Sequence, residues 1–308
     1  MHDSRYLMPM PKGQAHIALA SCRDLPDWEV DDQPLHAAVV ARGMELHTPA
    51  WDTPNLDWDQ FDAVVIRTTW DYAERCAEFL SWADRVGANG RLWNSAPILR
   101  WNTDKHYLRD LESRGCRLVP TAWLERGSSP DLEGILSEMN AERGFLKPIV
   151  GASARETLRF DRSEEGLAKA QAHCARLLPE ESFMLQPYQS TVETEGELSV
   201  LFFDGEPSHG VRKIPVPGDY RVQDDYGASD QPEALSPELV TAARQAMDAA
   251  VSITGLEQGS LLYGRVDFLL DSEGRLCLNE LELVEPSLFF RHDPASPDRL
   301  ARAIQRRI

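Results

Sequence analysis

Residues 264–282 constrain the fold more than any other segment, because they predict a β-hairpin that carries several charges. Two apolar stretches flank an Asp-Ser-Glu-Gly turn, and the alternation on each side indicates paired strands. Asp267 lies on the first strand, and Glu280 and Glu282 lie on the second. Side chains two apart on a strand share one face, so the carboxylates are expected to converge beside Arg265.

This acidic hairpin is open to two interpretations. Crowded carboxylates repel one another unless a cation compensates them, and a ligand set of oxygen atoms without His or Cys favours Mg²⁺ or Mn²⁺ over zinc. Alternatively, the carboxylates form a solvated polar face on which Arg265 is a salt-bridge partner.

The net charge restricts the partners of the chain. The 308 residues carry a formal charge of -18, with 42% apolar and 27% charged residues, a composition ordinary for a globular protein of two or three domains. Nucleic acids and anionic membranes both bind basic surfaces, so neither partner is expected. An anionic ligand would have to be held by local cationic groups.

The cysteines indicate the compartment. The five cysteines are scattered and include no Cys-x-x-Cys pair, which predicts a reducing cytoplasm and no structural zinc. No apolar run approaches the length of a membrane span, and the first residues lack the hydrophobic core of a signal peptide. Residues 1–15 are expected to form a disordered tail, and the protein is expected to be cytoplasmic.

Strand and helix patterns alternate in residues 16–100. Short apolar strands are predicted at Ile17 to Ser21 and Phe61 to Arg67, and helices at Leu35 to Arg42 and Ala73 to Val86. This βαβ pattern predicts an open parallel sheet, in which ligands usually bind beyond the carboxyl ends of the strands.

The residues that follow the second strand are candidates for substrate binding. Arg67 could clamp a substrate carboxylate in bidentate fashion, while Trp70 and Tyr72 form an apolar wall. The alternative is that both aromatic residues cap the core and that Arg67 pairs with Asp71.

Lysines are rare in this chain, five against 27 arginines, and three of them occupy unusual positions. A helix predicted from Lys105 to Arg114 places Lys105 in its first turn, where a cation opposes the helix dipole. Lys147 lies inside an apolar strand, followed by the small-residue loop 151–155, whose backbone amides could approach a phosphate. A phosphate-binding role is therefore predicted for these lysines and for Lys213.

The second half of the chain adds strands, a long loop and two helices. Pro215 to Leu235 reads as a long polar loop, and its first part, to Tyr226, is expected to be a lid that brings Arg221 to the reacting centre. The other expected elements are a strand at Phe183 to Tyr188, a hairpin of Leu198 to Phe203 with His209 to Ile214, and helices at Ser236 to Thr254 and Pro297 to Ile308.

The order of these elements and motifs resembles the ATP-grasp superfamily, and more narrowly its D-cycloserine ligase type. The resemblance covers about residues 16 to 300. It depends on an ordered set of motifs: Asp104-Lys105, Leu146-Lys147-Pro148, Gly151-Ala152-Ser153, Gln186-Pro187-Tyr188, Gly196-Glu197, Arg212-Lys213, Gly264-Arg265-Val266-Asp267 and Asn279-Glu280-Leu281-Glu282. The narrower resemblance depends on Arg67 to Tyr72, Trp101-Asn102 and Glu282 to Phe289.

The resemblance implies a fold and a set of nucleotide contacts. It implies an α/β (α+β ATP-grasp) fold with an N-terminal substrate domain at 16–100, a small lobe at 101–185 and a large lobe at 186–308. Lys105 and Lys147 would contact ATP, and Glu197 would bind the ribose hydroxyls. The remaining nucleotide-binding residues would be Gly151, Ser153, Gln186, Pro187 and Tyr188.

The resemblance also implies the residues of the reacting centre. Asp267, Glu280 and Glu282 would ligate two Mg²⁺ ions, or Mn²⁺ in their place. Arg265, Arg221 and Lys213 would be the catalytic cations. The substrate would be held by Arg67, Trp70, Asp71, Glu285 and Ser287.

The chain departs from the superfamily pattern at three places. Glu282 replaces the usual Asn of the third metal position, the phosphate loop has one glycine where several are common, and Glu285-Pro286-Ser287 replaces a Pro-Gly turn. The acceptor pocket is therefore expected to differ in shape from that of the dipeptide ligases.

The activity implied is an ATP-dependent ligation in which an amino-acid-like carboxylate becomes an acyl phosphate and an amine displaces the phosphate. A cycloserine-type ring closure within one substrate is an alternative. A nucleotide-binding regulator without catalysis is an alternative of another class. The partners expected are a small molecule and, in a homodimer, a second copy of the chain.

Overall fold

The computed structural model describes residues 13–24, 31–151, 155–222 and 227–308. Within these residues the strands form three sheets, in agreement with the expected α/β class. No helix in the described part of the chain combines the length and the apolar surface that a membrane span requires.

The first sheet is parallel and has the strand order β2-β1-β3-β4. Its strands are β1 (His16–Ser21), β2 (Glu45–His47), β3 (Ala63–Thr68) and β4 (Leu92–Trp93), and its helices are α1 (Gln33–Ala41) and α2 (Cys76–Gly87). The predicted βαβ unit is thereby confirmed. Fully buried residues occupy every position of β1 and β3, as expected for strands covered on both faces.

Helices α3 (Ala96–Asn102) and α4 (Tyr107–Ser113) follow the first sheet. Helix α4 begins two residues after Lys105, so the prediction that Lys105 lies in the first turn of a helix is wrong. The segment from Asp104 to His106 forms a turn instead, in which the Asp104 carboxylate accepts a hydrogen bond from the amide of His106. An Asp side chain that bonds the backbone two residues on favours such a turn over a helix.

The second sheet is antiparallel, with the order β5-β8-β6-β7. It consists of β5 (Ala122–Leu124), β6 (Arg143–Pro148), β7 (Leu158–Asp161) and β8 (Phe183–Pro187), covered by α5 (Leu132–Glu138) and α6 (Glu164–Leu177). This lobe buries a core of its own. The lobe boundary predicted between 185 and 186 falls inside β8, and the lobe division stays a prediction.

The third sheet holds the acidic hairpin and has the order β11-β10-β9-β12-β13. Its elements are α7 (Val192–Glu195), β9 (Glu197–Phe203), β10 (Glu206–Ile214), β11 (Ser229–Glu233), α8 (Pro237–Thr254), β12 (Tyr263–Leu270), β13 (Leu276–Glu282) and α9 (Ser296–Gln305). Strand β11 pairs with β10, so the expectation of loop structure throughout Pro215 to Leu235 is wrong for these residues. Backbone pairing at a sheet edge tolerates their polar side chains because one face stays in water.

The large lobe and the first sheet share their cores. One face of the first sheet packs with α1, α9 and β9, and the other face continues through α2, α3 and α8 to β12 and β13. Apolar burial therefore joins the N-terminal sheet to the sheet that carries the acidic hairpin, which positions the ends of β3 beside that hairpin.

Candidate active site

The predicted acidic hairpin is confirmed by the register of β12 and β13. Asp267 lies opposite Glu280, and Arg265 lies opposite Glu282. Nε of Arg265 donates to both carboxylate oxygens of Asp267 at 3.0 Å, and its guanidinium also contacts the Glu282 carboxylate. The Ser199 hydroxyl donates to Asp267 at 2.6 Å. Carboxylates and arginine thus converge on one face, as the alternation indicates.

The carboxylates of this face differ in protonation. Burial opposes the ionisation of Asp267, but the nearby Arg265 and Lys213 outweigh it and lower the pKa of Asp267 to about 2. For Glu282, burial, together with the neighbouring charges of Glu280 and Asp267, prevails over Arg265 and raises the pKa to about 7. Burial is the largest cause of the raised pKa of Glu282, so a cation placed beside this carboxyl would favour loss of its proton. The oxygen-only donors of this face fit a hard divalent cation.

The three lysines singled out from the sequence all line one cavity with this hairpin. Nζ of Lys105 donates to Glu280 at 2.5 Å and to the Gly151 carbonyl at 3.1 Å. Nζ of Lys213 lies 2.5 Å from Glu197 and 3.2 Å from Asp267. Three ammonium groups beside one acidic hairpin provide the local cations that the net charge of the chain requires for an anionic ligand.

Lys147 differs from the other two in its surroundings. Its Nζ donates to Oδ1 of Asn279 at 3.0 Å, a neutral partner, and burial lowers its pKa. A buried ammonium without a carboxylate partner is costly, and a phosphate placed beside it would remove that cost.

Asn279 is a site residue that the sequence patterns did not reveal. Glu280 pairs with Asp267 and Leu278 pairs with Phe268, so Asn279 is the extra residue of a β-bulge. Its amide accepts from Lys147 and donates to Glu197 at 2.5 Å. Strict alternation would place Asn279 on the face opposite Glu280, and the bulge turns it into the cavity. The sequence carries no signal for this bulge.

The opposite wall of the cavity comes from the small lobe. Gln186, Pro187, Tyr188 and Gly151 line it, next to the Phe145 ring. The Gln186 amide donates to the Thr121 hydroxyl at 2.8 Å, which holds the end of β8 against β5. Ser153 lies outside the described residues.

The ring of Tyr188 lies between two guanidinium groups. Arg143 and Arg159 are 4.7 and 5.1 Å from its centroid, and its hydroxyl donates to Glu193 at 2.6 Å. Glu197, predicted to bind a ribose, is 4% exposed and lies between Lys213 and Asn279. These contacts hold the Tyr188 and Glu197 side chains in place on the cavity wall.

The structure places Arg67 away from the cavity. Its guanidinium donates to both Asp32 oxygens at 2.9 Å and to the Pro286 carbonyl at 3.0 Å, and the residue is 2% exposed. Arg67 is not among the residues that line the cavity, and its predicted contact with a substrate carboxylate stays a prediction. The alternative pairing with Asp71 is wrong, because Asp32, 35 residues earlier, accepts from the guanidinium.

Of the other three candidate residues after β3, two line the cavity and one does not. Trp70 and Tyr72 line the cavity, and the Trp70 indole donates to the Glu285 carbonyl at 3.4 Å. Asp71 accepts from the Trp51 indole at 2.8 Å, lies 3.8 Å from Arg75 and does not line the cavity. The expected substrate contact by Asp71 stays a prediction.

Glu285 and Ser287 line the cavity beyond the acidic hairpin. Burial, with the nearby Glu282 charge, raises the pKa of Glu285 to about 8. The Ser287 carbonyl accepts from Arg265 at 3.2 Å, which ties this segment to the hairpin. A carboxyl that keeps its proton at neutral pH would ionise if a substrate ammonium were placed beside it.

Arg221 lines the cavity next to Tyr220. Its guanidinium donates to Asp219 at 2.6 Å, and the Tyr220 ring lies 5.0 Å from the Phe145 ring. The last described residues of the predicted lid, 220–222, thus line the cavity beside the small-lobe wall. Residues 223–226 lie outside the described residues.

The chain is similar to characterised proteins along its length. A family model described as D-cycloserine synthetase DcsG, N-terminal domain, matches residues 17–94. The cycloserine biosynthesis protein DcsG of Streptomyces lavendulae is 34% identical over 295 residues, which cover 91% of this chain and 94% of that protein. The chain belongs to the D-cycloserine synthetase family of ATP-grasp ligases.

Solved structures agree with this membership. The crystal structure of D-cycloserine synthetase DcsG has a TM-score of 0.87 and 31% identity, and the match covers 96% of this chain and 100% of that one. The ATP-grasp ligase PsnB matches with a TM-score of 0.66 and 16% identity over 96% and 100% of the two chains. The D-alanine–D-alanine ligase of Bacillus anthracis matches with a TM-score of 0.67 and 14% identity over 95% and 96%. The last two show the fold alone.

The family confirms the expected fold and class of activity. This member of the D-cycloserine synthetase family is an ATP-dependent ligase that joins a carboxylate to an amine nitrogen. Its cavity contains cations of the kind that phosphoryl transfer requires.

Proposed function

We propose that this ligase closes a ring within one amino-acid-like substrate. The observation that carries the proposal is that one cavity joins the lysine and carboxylate cluster to a pocket of Trp70, Tyr72 and Glu285. That pocket begins directly beyond the hairpin, where a small substrate would meet the nucleotide phosphates. The relatives named for cycloserine biosynthesis and D-cycloserine synthesis support ring closure over ligation of two molecules.

In the proposed reaction, a substrate carboxylate oxygen attacks the γ-phosphorus of ATP, and ADP leaves with the electrons of the broken P–O bond. A nitrogen of the same substrate then attacks the acyl carbon, and phosphate leaves. Arg265, Lys105 and Lys147 neutralise the charge that develops on the phosphate oxygens. Glu285 accepts the substrate ammonium and orients it, and Trp70 and Tyr72 exclude water from the acyl phosphate.

We propose that two Mg²⁺ ions, or Mn²⁺ ions in their place, are held by Asp267, Glu280 and Glu282. The oxygen-only donor set and the shared face of these carboxylates in the hairpin support this ligand assignment. When bound, the ions supply charge neutralisation at the phosphates. The ion pair between Lys105 and Glu280 must open so that the carboxylate becomes a ligand and the ammonium turns to a phosphate.

The proposal is tested by incubating the protein with ATP, MgCl₂ and O-amino-D-serine, whose ring-closed product is D-cycloserine. Ring closure predicts ADP release without a second amine, together with a product lighter than the substrate by one water. A ligase of two molecules would instead give a product of two joined molecules, either two copies of the substrate or the substrate and an added amine, and that product mass would overturn the proposal. Ureido and hydroxy amino acids extend the screen.

Three further assignments complete the proposal. The protein acts in the cytoplasm, in agreement with its free cysteines among the described residues. It binds no nucleic acid, in agreement with its charge of -18. It forms a homodimer, which sedimentation of the purified protein would test.

A further inference from the structure

A second group of metal-ligating side chains lies on the first sheet, outside the cavity described above. His16 begins β1, and Glu45 and His47 lie at the two ends of β2. The parallel register pairs His16 with Glu45 and places His47 two residues further along the same strand. Residues two apart on a strand share a face, so both side chains of β2 reach the same ring of β1.

The distances within this group match the coordination sphere of a small transition-metal ion. Nδ1 of His16 lies 3.2 Å from Nε2 of His47. The Glu45 oxygens lie 3.6 Å from the first nitrogen and 3.7 Å from the second. Ligands bound at about 2.0–2.1 Å in tetrahedral geometry are about 3.3 Å apart, so the ligands need to move by only a few tenths of an ångström.

The backbone of this group is held by its neighbours. The amide of His16 donates to the Asp62 carboxylate at 2.8 Å, and the amide of Asp62 donates back to the His16 carbonyl at 2.8 Å. The amide of Glu45 donates to the Ala15 carbonyl at 2.8 Å. The Phe61 ring lies 5.4 Å from the His47 ring. These contacts fix the ligand-bearing strands before any ion binds.

We propose that His16, Glu45 and His47 form a binding site for a divalent transition-metal ion of the zinc class, separate from the Mg²⁺ site of the cavity. Two imidazoles and one carboxylate favour Zn²⁺ over Mg²⁺, which prefers oxygen ligands alone. The described residues supply three ligands, and water or one further group would complete a tetrahedral site. The ion would link β2, the edge strand of the first sheet, to β1. This site is independent of the proposed ligase function.

The group could also act without an ion. One neutral imidazole would then donate a hydrogen bond to the other, with the Glu45 carboxylate nearby. This alternative and the metal site differ in one measurable respect, because only the metal site binds Zn²⁺ with defined stoichiometry.

The test uses the full chain, freed of metal by a chelator and then kept in MgCl₂ with a non-hydrolysable ATP analogue, so that the cavity carboxylates are occupied. ZnCl₂ is titrated in competition with a chromophoric chelator. One equivalent is expected to bind, and the melting temperature is expected to rise by roughly 3–6 °C at a hundredfold excess over Kd. Co²⁺ in place of zinc should give visible bands of a tetrahedral site without a thiolate band, which separates this site from the cysteines.

Glu45→Gln and His47→Gln are the test variants, since these side chains are 42% and 14% exposed and the fold should tolerate both changes. Each should weaken Zn²⁺ binding by more than about 10-fold. Even substitution of a residue that only hydrogen-bonds a metal ligand typically lowers metal affinity by about 10–100-fold. His106→Gln is the matched control, because His106 also lies beside two carboxylates, Asp104 and Glu125, but on the second lobe.

The control should bind Zn²⁺ as the unaltered protein does. Absence of stoichiometric binding in the unaltered protein, or equal binding in the Glu45 and His47 variants, would overturn the proposal.

Discussion

Glu280 is the residue on which the charges of the proposed active site depend. It lies opposite Asp267 in the hairpin, accepts the Lys105 ammonium, and its ion pair with Lys105 together with the nearby Lys147 keeps its pKa below the usual value despite burial. A glutamine at this position keeps the size of the side chain and removes one negative charge. The substitution therefore separates the charge of Glu280 from its packing.

The first prediction is that Glu280→Gln abolishes ADP formation while the fold is retained. The reason is that the amide cannot balance Lys105 or ligate Mg²⁺ with the strength of a carboxylate. ADP release with substrate measures the first effect, and the melting temperature measures the second. Glu273→Gln is the control, since Glu273 lies in the exposed turn of the same hairpin and pairs only with the neighbouring Arg275 in the contacts described. Near-normal turnover in the Glu280 variant would rule this assignment out.

The second prediction concerns Glu285, whose pKa rises from 4.5 to about 8 in the folded protein. Between these values the folded state binds a proton that the unfolded state has released, so the free energy of unfolding falls as the pH rises through this window. The contribution of Glu285 to the free energy of unfolding is complete below pH 4.5 and lost above about pH 8.

Glu285→Gln, neutral at every pH, should flatten this dependence and be more stable than the unaltered protein near the upper limit. Urea unfolding without nucleotide, in a chelating buffer, measures the slope. Glu282, with its pKa of about 7, leaves a residual slope in the variant. Identical slopes for both proteins would show that Glu285 does not hold its proton.

At the scale of elements, the strand β9 depends on the glycine that precedes it. Gly196 has φ of 71° and ψ of −168°, a backbone region that is essentially restricted to glycine. A Cβ atom at Gly196 would overlap the Lys213 carbonyl oxygen. The close approach brings Glu197 and Lys213 together at the start of β9 and the end of β10.

The third prediction is that Gly196→Ala destabilises the protein by about 2–4 kcal/mol, from backbone strain plus the clash, and also weakens ATP binding by displacing Glu197. Gly205→Ala is the matched control, because its φ of 78° is also positive but a Cβ there meets nothing within 4 Å. The control should lose only about 1–2 kcal/mol and retain ATP affinity. Denaturant unfolding and nucleotide titration measure both quantities, and equal losses in the two variants would contradict the clash.

At the scale of the whole molecule, buried polar side chains join the N-terminal sheet to the large lobe. Arg67 at the end of β3 reaches the Pro286 carbonyl, and Asn94 donates to the carbonyls of Tyr263 and Leu283 at 3.0 and 2.9 Å. Asn102 donates to the Leu281 carbonyl at 2.8 Å. These bonds satisfy backbone carbonyls of the hairpin strands and of the segment that follows β13, and they fix the end of the hairpin against the N-terminal part of the chain.

The fourth prediction is that Arg67→Ala lowers the free energy of unfolding by about 3–5 kcal/mol, because Asp32 would be left as a buried charge without its partner. Substrate KM should stay nearly unchanged. A double variant, Arg67→Met with Asp32→Asn, should recover part of the loss, since no uncompensated charge remains. A large rise in KM with unchanged stability would instead return Arg67 to the substrate site.

Patterns among neighbouring residues were sufficient to predict much of this fold from the sequence alone. The alternation in residues 264–282 predicted the hairpin and its acidic face, and Ser236 and Gly255 bound the long helix α8 as cap residues do. The scarcity of lysine directed attention to three cations that the structure brings into one cavity. Such features depend on neighbours two to four residues apart, so they can be read before the chain is folded.

Other features were decided only by the tertiary structure. Asp32 rather than Asp71 pairs with Arg67, because the burial of α1 against the first sheet brings together residues that are 35 positions apart. Asn279 enters the cavity because a bulge shifts the register of β13, and β11 forms because a polar segment meets an open strand edge. His16 and His47 meet because β1 and β2 are parallel neighbours. Strand pairing and lobe packing depend on the whole chain, so no local pattern records them.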